Sequence, residues 1–381
     1  MKSIKKLYYQ LPEKEFKEAL QNIMANPDTM HFFNDSNKHY FYLPDSESFS
    51  ILLKLHEKQA LFDNVFNSFS SFGKNQIIQS FYIDEVESTN KIENIYSTRH
   101  DIFYLLNNYK IEDNKTRSIA NSYSLLLNKT FSGIHNLKDI RNIYDSLTEG
   151  TLADRDLPDG VYFRKGPVFI NDGLGNVHNG VVGEDNINNS MNEFLNLYND
   201  KNRDIYERMI LSHFLIETIH PYYDGNGRLG RFLNTMGLFY DTGSYISFEI
   251  SRIINNKKTK YYHILEAARD IHEYGSLNNY VKEFGELLSD GFEDVIKETN
   301  EKRKKIEEYK LDGLNKSEKK IFKLLAEATA LSEYGVTNKE IIDYTGISKR
   351  NVIYIMNKFR DKKILAETKI SKYKYNKLNI D

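Results

Sequence analysis

A run of twelve residues, His220 to Arg231, gathers side chains that could act on phosphate groups. His220 is a candidate base, because a neutral imidazole near pH 7 can accept a proton. Asp224 is the only carboxylate of the run and could hold a hard cation such as Mg²⁺. Arg228 and Arg231 lie three positions apart and could face one anion from a helix. A base, a metal ligand and two guanidinium groups together predict phosphate-transfer chemistry.

The sequence predicts a helix on each side of this run. Apolar spacing over residues 206–219 predicts the first helix, and Pro221 disfavours helical geometry at the residue before it, so the helix should end there. Gly225 and Gly227 permit positive φ angles, and successive amides of such a turn form an anion-binding concavity. A second helix, expected from near Arg228, would point the positive end of its dipole at the same place. The alternative is a structural corner with a capping Asp, which would explain a lone Gly-Asn-Gly but not the whole run.

The run resembles the signature of the Fic family, His-Pro-Phe-x-Asp/Glu-Gly-Asn-Gly-Arg-x-x-Arg, and departs from it only at Tyr222, where the family has phenylalanine. Tyr222 is expected to pack below the loop, where its additional hydroxyl needs a partner. The resemblance extends over about Glu47 to Asp290. It implies a mainly α fold, built as a Fic-type helical bundle with a short β-hairpin flap. It also implies an enzyme that uses ATP and Mg²⁺ to transfer AMP to a Ser, Thr or Tyr hydroxyl of a protein, itself included.

The resemblance further implies a role for each matched residue. His220 would take the proton of the target hydroxyl, and Asp224 would hold Mg²⁺ between the α- and β-phosphates. Asn226 and the amides of Gly225 and Gly227 would cradle the phosphates.

The two arginines of the run would bind the far end of the nucleotide. Arg228 would lie toward the β- and γ-phosphates, and Arg231 would contact the γ-phosphate and so set the orientation of ATP. Gly227 separates the run from the Doc-like branch, which carries a bulkier basic residue there and transfers a phosphate. Farther along the chain, Tyr261 and Tyr262 resemble a family stretch that could close over the adenine.

Two β-like segments, Val161–Arg164 and Pro167–Ile170, predict a short hairpin between Gly160 and the Asp172-Gly173 pair. In the Fic family a hairpin flap pairs its main chain with the target segment, which implies that role for Val168, Phe169 and Ile170. An ordinary surface hairpin is the alternative.

Residues 89–94, Thr-Asn-Lys-Ile-Glu-Asn, match the family's inhibitory pattern, Ser/Thr-x-x-x-Glu-Gly/Asn. On a helix Thr89 and Glu93 lie one turn apart on the same face. The resemblance implies that Glu93 pairs with Arg231 and withdraws it from the γ-phosphate, so that ATP binds in an unproductive pose. In some relatives the same glutamate serves removal of AMP, so de-AMPylation at this site is an alternative.

The C-terminal segment from Leu314 carries a charge of +7, against −9 for the rest of the chain. A helix over 317–330, a helix-turn-helix over 337–356 and two strands over 364–377 resemble a winged helix-turn-helix domain, with Gly346 ending one helix and Ser348 capping the next. Its basic residues could bind DNA, and a protein-docking or dimerising module is the alternative. The basic residues on or near the recognition helix are Lys349, Arg350, Lys358 and Arg360.

The 381-residue chain should hold two or three domains. It has no cysteine, so disulfides and thiolate sites are excluded, and no apolar run is long enough to span a membrane. We expect a cytoplasmic bacterial protein, with homodimerisation open. A second hypothesis, a regulator that senses nucleotide without transferring it, is disfavoured because such a sensor would not need the base His220. The expected parts are an N-terminal helical region with the inhibitory helix (1–110), a catalytic core (111–300), a charged helical linker (301–313) and the winged-helix-like domain (314–381).

Overall fold

The chain divides into two compact units and is mainly helical. One unit comprises Met1–Gln59 and Ile83–Phe292, and the other comprises Ala60–Tyr82 and Glu293–Asp381. The computed structural model describes residues 3–35, 38–107, 114–131, 133–171, 177–370 and 373–379.

Thirteen helices precede the C-terminal segment in the described residues. Their bounds are α1 (Ile4–Gln10), α2 (Glu13–Met24), α3 (Ser46–Asn67), α4 (Ser71–Ile92), α5 (Arg99–Leu106), α6 (Asn114–Leu127), α7 (Leu137–Thr148), α8 (Glu184–Asn199), α9 (Ile205–Ile219), α10 (Asn226–Thr242), α11 (Ile250–Asn256), α12 (Lys258–Ala268) and α13 (Asn278–Glu307). Short 3₁₀ turns occupy Asp154–Asp156, Tyr245–Glu249 and Ile271–Glu273.

A β-hairpin stands between α2 and α3, where the sequence pattern predicts helices alone. Strand β1 (Met30–Asp35) pairs antiparallel with β2 (Lys38–Tyr42). The Phe41 amide donates to the Gly275 carbonyl at 2.9 Å, and the Leu277 amide donates to the Phe41 carbonyl at 2.8 Å. These bonds fasten the hairpin to the segment before α13, a contact between parts of the chain too distant for a local pattern to show.

Helices α9 and α10 form the centre of the larger unit, and almost all of their side chains are buried. A helix that is apolar on every side must be enclosed by others, and α9 packs against both α8 and α10. The side chain of Asp204 caps α9 by accepting bonds from the amides of Tyr206 and Glu207. The loop over residues 220–225 and the first turns of α10 carry the His220–Arg231 run, with α10 beginning two residues before its expected start near Arg228.

The predicted flap hairpin is present, but its strands differ from the expectation. Strand β3 (Phe169–Asn171) pairs antiparallel with β4 (Val177–Asn179), whereas residues 161–164 form bends rather than a strand. Asp172 and Gly173 lie outside the described residues. The expectation for Val161–Arg164 was therefore wrong, because the amides of Tyr162 and Phe163 donate to the Glu184 carboxylate at 2.7 and 3.1 Å and not to a partner strand.

The second unit contains α14 (Lys316–Leu331), α15 (Asn338–Thr345) and α16 (Lys349–Asp361) with a small sheet. Strands β5 (Val336–Thr337) and β6 (Leu365–Ile370) pair antiparallel on either side of β7 (Tyr373–Leu378). Its core includes Phe72 of α4 together with apolar side chains of α14, α15 and α16. The helix-turn-helix and the strand pair occur where the sequence predicts them, and their assignment to the winged-helix family stays a prediction.

Throughout the described ranges, no helix is both long enough and apolar enough to cross a lipid bilayer.

Candidate active site

His220 sits at the C-terminal cap of α9. Its φ and ψ angles of 52° and 62° are left-handed, and its amide donates to the Ile216 carbonyl at 3.0 Å. This backbone conformation is uncommon for a residue with a side chain, and it ends the helix before Pro221. The half-buried imidazole consequently leaves the helix at its end, at the start of the loop.

Arg164 holds the end of α9 from below. Its guanidinium donates to the carbonyl oxygens of Gly166 at 2.5 Å, Val181 at 2.8 Å and His220 at 2.9 Å. The side chain is fully buried, and burial lowers the pKa of Arg164 to about 10. The sequence pattern predicts a strand at this residue and gives no sign of its role, because the carbonyl groups of Val181 and His220 come from distant segments. Arg164 therefore fixes the backbone of His220 without reaching the surface.

Tyr222 packs beneath the loop, as expected. Its ring lies parallel to that of Tyr144, with centroids 3.4 Å apart, and is fully buried. The expected partner for its hydroxyl is missing from the described residues. The Tyr144 hydroxyl instead donates to the Asp224 carbonyl at 2.9 Å, so the loop is held through the neighbouring ring.

Asn226 braces the loop with its side chain. The amide of Tyr222 donates to Asn226 Oδ1 at 2.9 Å, and Asn226 Nδ2 donates to the Tyr222 carbonyl at 2.9 Å. Because both ends of this side chain are engaged, Asn226 can offer a ligand its backbone amide. The phosphate-binding role of Asn226 stays a prediction.

The amino end of α10 is open toward the loop. Gly225 adopts a left-handed conformation with φ 83°, and no side chain among the described residues caps the helix. The first amides of a helix have no partner within it and lie at the positive end of its dipole. Residues 226–228 thus present a backbone site that fits a phosphate group.

Asp224 and Arg228 flank this helix end. The Asp224 carboxylate is 50% exposed, accepts from the Gly225 amide at 2.6 Å and lies 3.4 Å from Arg228 Nη2. Arg228 is buried, donates from Nη1 to Thr151 Oγ1 at 3.0 Å, and its Nε has no partner in the described part of the chain. One exposed carboxylate suits Mg²⁺, which takes one or two protein ligands and completes its shell with phosphates and water. No cluster of three or more His, Asp or Glu side chains that could hold a metal alone occurs in the described ranges.

Arg231 is bound to the residues of the inhibitory pattern. Its Nη2 donates to Glu93 Oε1 at 2.7 Å and its Nε donates to Thr89 Oγ1 at 3.0 Å. The Arg231 side chain is 2% exposed and that of Glu93 is 25% exposed. Burial alone would lower the pKa of Arg231, but the charge and hydrogen bond of Glu93 reverse the direction and raise it.

Gly227 lies against this ion pair. A Cβ atom at this position would stand 2.5 Å from Glu93 Oε1 and 2.9 Å from Arg231 Nη1. Any side chain at residue 227 would therefore displace Glu93 or Arg231. The resemblance connects Gly227 with the choice of the transferred group. The same glycine leaves room for the Glu93–Arg231 pair.

Two buried carboxyl groups near Arg231 were missed by sequence reasoning. Glu85, one turn before Thr89 on α4, is fully buried and accepts bonds from Tyr123, Thr235 and Ser251 at 2.7–3.0 Å. Burial raises the pKa of Glu85. The bond that Glu85 accepts from Thr235, one turn after Arg231 on α10, connects α4 to α10.

The other is Glu217, one turn before His220 on α9. Its Oε1 is buried and has no hydrogen-bond partner within the described ranges. Burial raises the pKa of Glu217 to about 7, with the charge of Arg231 opposing the shift and that of Glu93 adding to it. A carboxyl group beside apolar neighbours in a helix gives no signal in the sequence by itself.

The flap begins next to His220. The Gly180 amide donates to the Val168 carbonyl at 3.3 Å, and the Val181 amide donates to the Ile219 carbonyl at 3.0 Å. Phe169 is 71% exposed, and the backbone of Ile170 is paired with His178. The hairpin that follows Val168 is thus joined to the end of α9.

The two tyrosines predicted to close over the adenine differ in their burial. Tyr261 is buried and its hydroxyl is 2.8 Å from His213 Nε2, so its ring is part of the core. Tyr262 is half-buried, with Lys258 Nζ 5.9 Å from its ring centre. The burial of Tyr261 leaves it no surface for a base, which speaks against that expectation for this residue.

Comparison with known proteins agrees with the loop and its helices. A model of the Fic/DOC family matches residues 134–238. A Fic family protein from Desulfovibrio desulfuricans G20 aligns with a TM-score of 0.57 at 15% identity, covering 89% of this chain and 98% of that one. A fragment of Fic-1 from C. elegans aligns with a TM-score of 0.49 at 15% identity, covering 79% and 81% of the two chains.

The family match covers α7 to most of α10, together with the flap, His220 and the anion site. The solved structure with the higher TM-score extends the likeness of fold to most of the chain. Residues 134–238 form a Fic/DOC domain, and the chain is a Fic-domain protein.

Proposed function

We propose that this protein transfers AMP from ATP to a hydroxyl side chain of a protein, and that Glu93 restrains the reaction. The observation that carries the proposal is that His220, Asp224 and the uncapped amino end of α10 belong to one short, internally braced loop. Proteins of this family are typically transferases that modify proteins.

The residues of the loop divide the chemistry among them. The amides of residues 226–228 and the Arg228 guanidinium would bind the phosphates, and Asp224 would hold Mg²⁺, which neutralises phosphate charge when bound. His220 would accept the proton of the target hydroxyl as that oxygen bonds to the α-phosphorus. The bond from the α-phosphorus to the bridging oxygen breaks, and pyrophosphate leaves with its electron pair.

The Glu93–Arg231 pair supports the restraint. Arg231 Nη2 donates to Glu93 Oε1 at 2.7 Å and to the Thr89 carbonyl at 3.4 Å, so both of its hydrogens are engaged and neither is left for a γ-phosphate. The pair is nearly enclosed, so it is screened little by salt or water. Removing the carboxylate frees the guanidinium for the nucleotide, which should favour the productive orientation.

The test is incubation of the full chain with α-labelled ATP and Mg²⁺, followed by mass spectrometry for added AMP. Glu93→Gly should raise incorporation by roughly 5–150-fold, the usual range for such couplings. Glu87→Ala, which removes a carboxylate of α4 on the Arg99 side, is the matched control and should leave incorporation unchanged.

His220→Ala should abolish incorporation in both the unaltered and the Glu93→Gly backgrounds, and chelation of Mg²⁺ should do the same. If label is transferred from γ-labelled and not from α-labelled ATP, the reaction is phosphate transfer and not AMP transfer. Equal incorporation with and without Glu93 would refute the restraint while leaving the transfer itself intact.

A further inference from the structure

The C-terminal unit has a helix pair whose outer surface the proposed transfer reaction does not use. Helices α15 and α16 are joined by three residues, Gly346, Ile347 and Ser348. Gly346 takes a left-handed conformation with φ 67°, and the Ser348 side chain caps α16 by accepting from the Asn351 amide. A three- or four-residue turn containing glycine is typical of helix-turn-helix motifs, whose second helix enters the major groove of DNA.

One face of α16 is buried and the opposite face is free of the core. The buried face supplies Val352, Ile355, Met356 and Phe359 to the hydrophobic cluster of the unit. The exposed residues on the other side include Lys349, Arg350, Ile353, Tyr354 and Asn357, which follow at helical spacing. This face extends over two turns from the amino end of α16, the end from which recognition helices contact base edges.

The basic side chains of α16 fall into two groups. Lys358 donates to Glu318 at 2.5 Å and Arg360 donates to Glu367 at 2.7 Å, so these two cations are satisfied within the unit. For Lys349 and Arg350, both exposed at the start of the helix, no ion pair is present in the described part of the chain. The unmatched charge is thus concentrated at the end of the helix that contacts base edges in helix-turn-helix proteins.

The charge of the segment favours a polyanion over a protein surface. Residues from Leu314 onward carry a net charge of +7 within a chain of net charge −2. Lys369 on β6 adds an exposed cation on the hairpin after α16, whereas Lys374 on β7 pairs with Glu367 at 2.5 Å. Protein–protein interfaces are depleted in lysine, whereas phosphate contacts by Lys and Arg dominate DNA affinity.

We propose that the exposed face of α16 binds duplex DNA. Lys349 and Arg350 contact phosphates, while Ile353 makes apolar contact with thymine methyls and the Tyr354 hydroxyl donates to a phosphate. Lys369 of β6 contacts the flanking backbone. This binding needs neither ATP nor the transfer reaction.

The experiment measures binding of the full chain, without nucleotide, to a labelled duplex at about 50 and about 200 mM salt. We expect binding at the lower salt and a loss of at least about tenfold in affinity at the higher salt. The double substitution Lys349→Ala/Arg350→Ala should reduce the slope of log affinity against log salt by about two, one for each phosphate contact. The control is Lys304→Ala/Lys305→Ala, which removes two exposed charges from α13 and should leave the slope unchanged.

Three results would overturn the proposal. One is no salt-dependent binding of duplex DNA by the intact chain. Another is a slope altered equally by the α16 and α13 double substitutions, and the third is tighter binding to single-stranded than to duplex DNA. If Tyr354→Glu dissociates an oligomer of a chain that binds no duplex, the face is a protein interface.

Discussion

At the scale of single residues, Glu217 makes the stability of the fold depend on pH. Its carboxyl group lies near Arg231, Glu93 and Arg269, and burial raises its pKa from 4.5 to about 7. Between these values the folded chain keeps a proton that the unfolded chain has lost, so the stability supplied by the protonated form disappears as pH rises through about 7.

The free energy of unfolding should therefore fall as the pH rises from 5 to 8. The fall should be larger in the unaltered chain than in Glu217→Gln, by on the order of 2 kcal/mol. Denaturant titration at the two pH values measures this difference, with Glu286→Gln on the exposed side of α13 as the control. If all three chains change in parallel with pH, the carboxyl group is not protonated in the fold.

Tyr222 carries a buried hydroxyl for which the described residues provide no hydrogen-bond partner. Burying such a group without a partner costs about 1–3 kcal/mol, so Tyr222→Phe should raise the free energy of unfolding by roughly 1 kcal/mol. The stack on Tyr144 remains, and AMP transfer should stay within about twofold of the original rate. A less stable Tyr222→Phe chain would mean that the hydroxyl is hydrogen-bonded.

At the scale of elements, Glu85 fastens α4 to α10 one turn from the Glu93–Arg231 pair. Glu85→Ala removes the acceptor for four hydrogen bonds in the core, and we expect a loss of on the order of 3 kcal/mol in the free energy of unfolding. Thermal and denaturant unfolding measure the loss. Glu87→Ala on the same helix breaks only a half-exposed pair with Arg99 and should change stability by less than about 1 kcal/mol. Comparable losses in the two variants would show that the Glu85 bonds contribute little.

The elements that sequence reasoning predicts well are those whose signals are local. Pro221 marks the end of α9, and Gly346 and Ser348 mark the turn before α16. The role of Arg164 gave no such signal, because the carbonyl groups that it binds are brought together only by the folded chain. The same is true of Glu85, whose four donors come from α6, α10 and α11.

At the scale of the whole molecule, the contact pattern groups residues 60–82 with 293–381. Phe72 is 1% exposed in a cluster with Ile321, Leu325 and Phe359, among others. A chain that ends at Gly313 would leave this aromatic surface without its partners, so we expect a lower melting temperature and binding of a hydrophobic dye. Circular dichroism and dye fluorescence measure these changes, and Phe72→Ser in the shortened chain should reduce dye binding. An unchanged melting temperature would contradict this grouping.

The ion pair between Glu93 and Arg231 joins two parts of a single chain, so dilution cannot separate them. An inhibitor supplied by another molecule dissociates as protein concentration falls, whereas a tethered group keeps a constant effective concentration, often in the millimolar range. In the proposed enzyme the restrained fraction is consequently the same at any protein concentration. ATP therefore meets the same Glu93 restraint at every enzyme concentration, and dilution of the enzyme should leave the activity of each molecule unchanged.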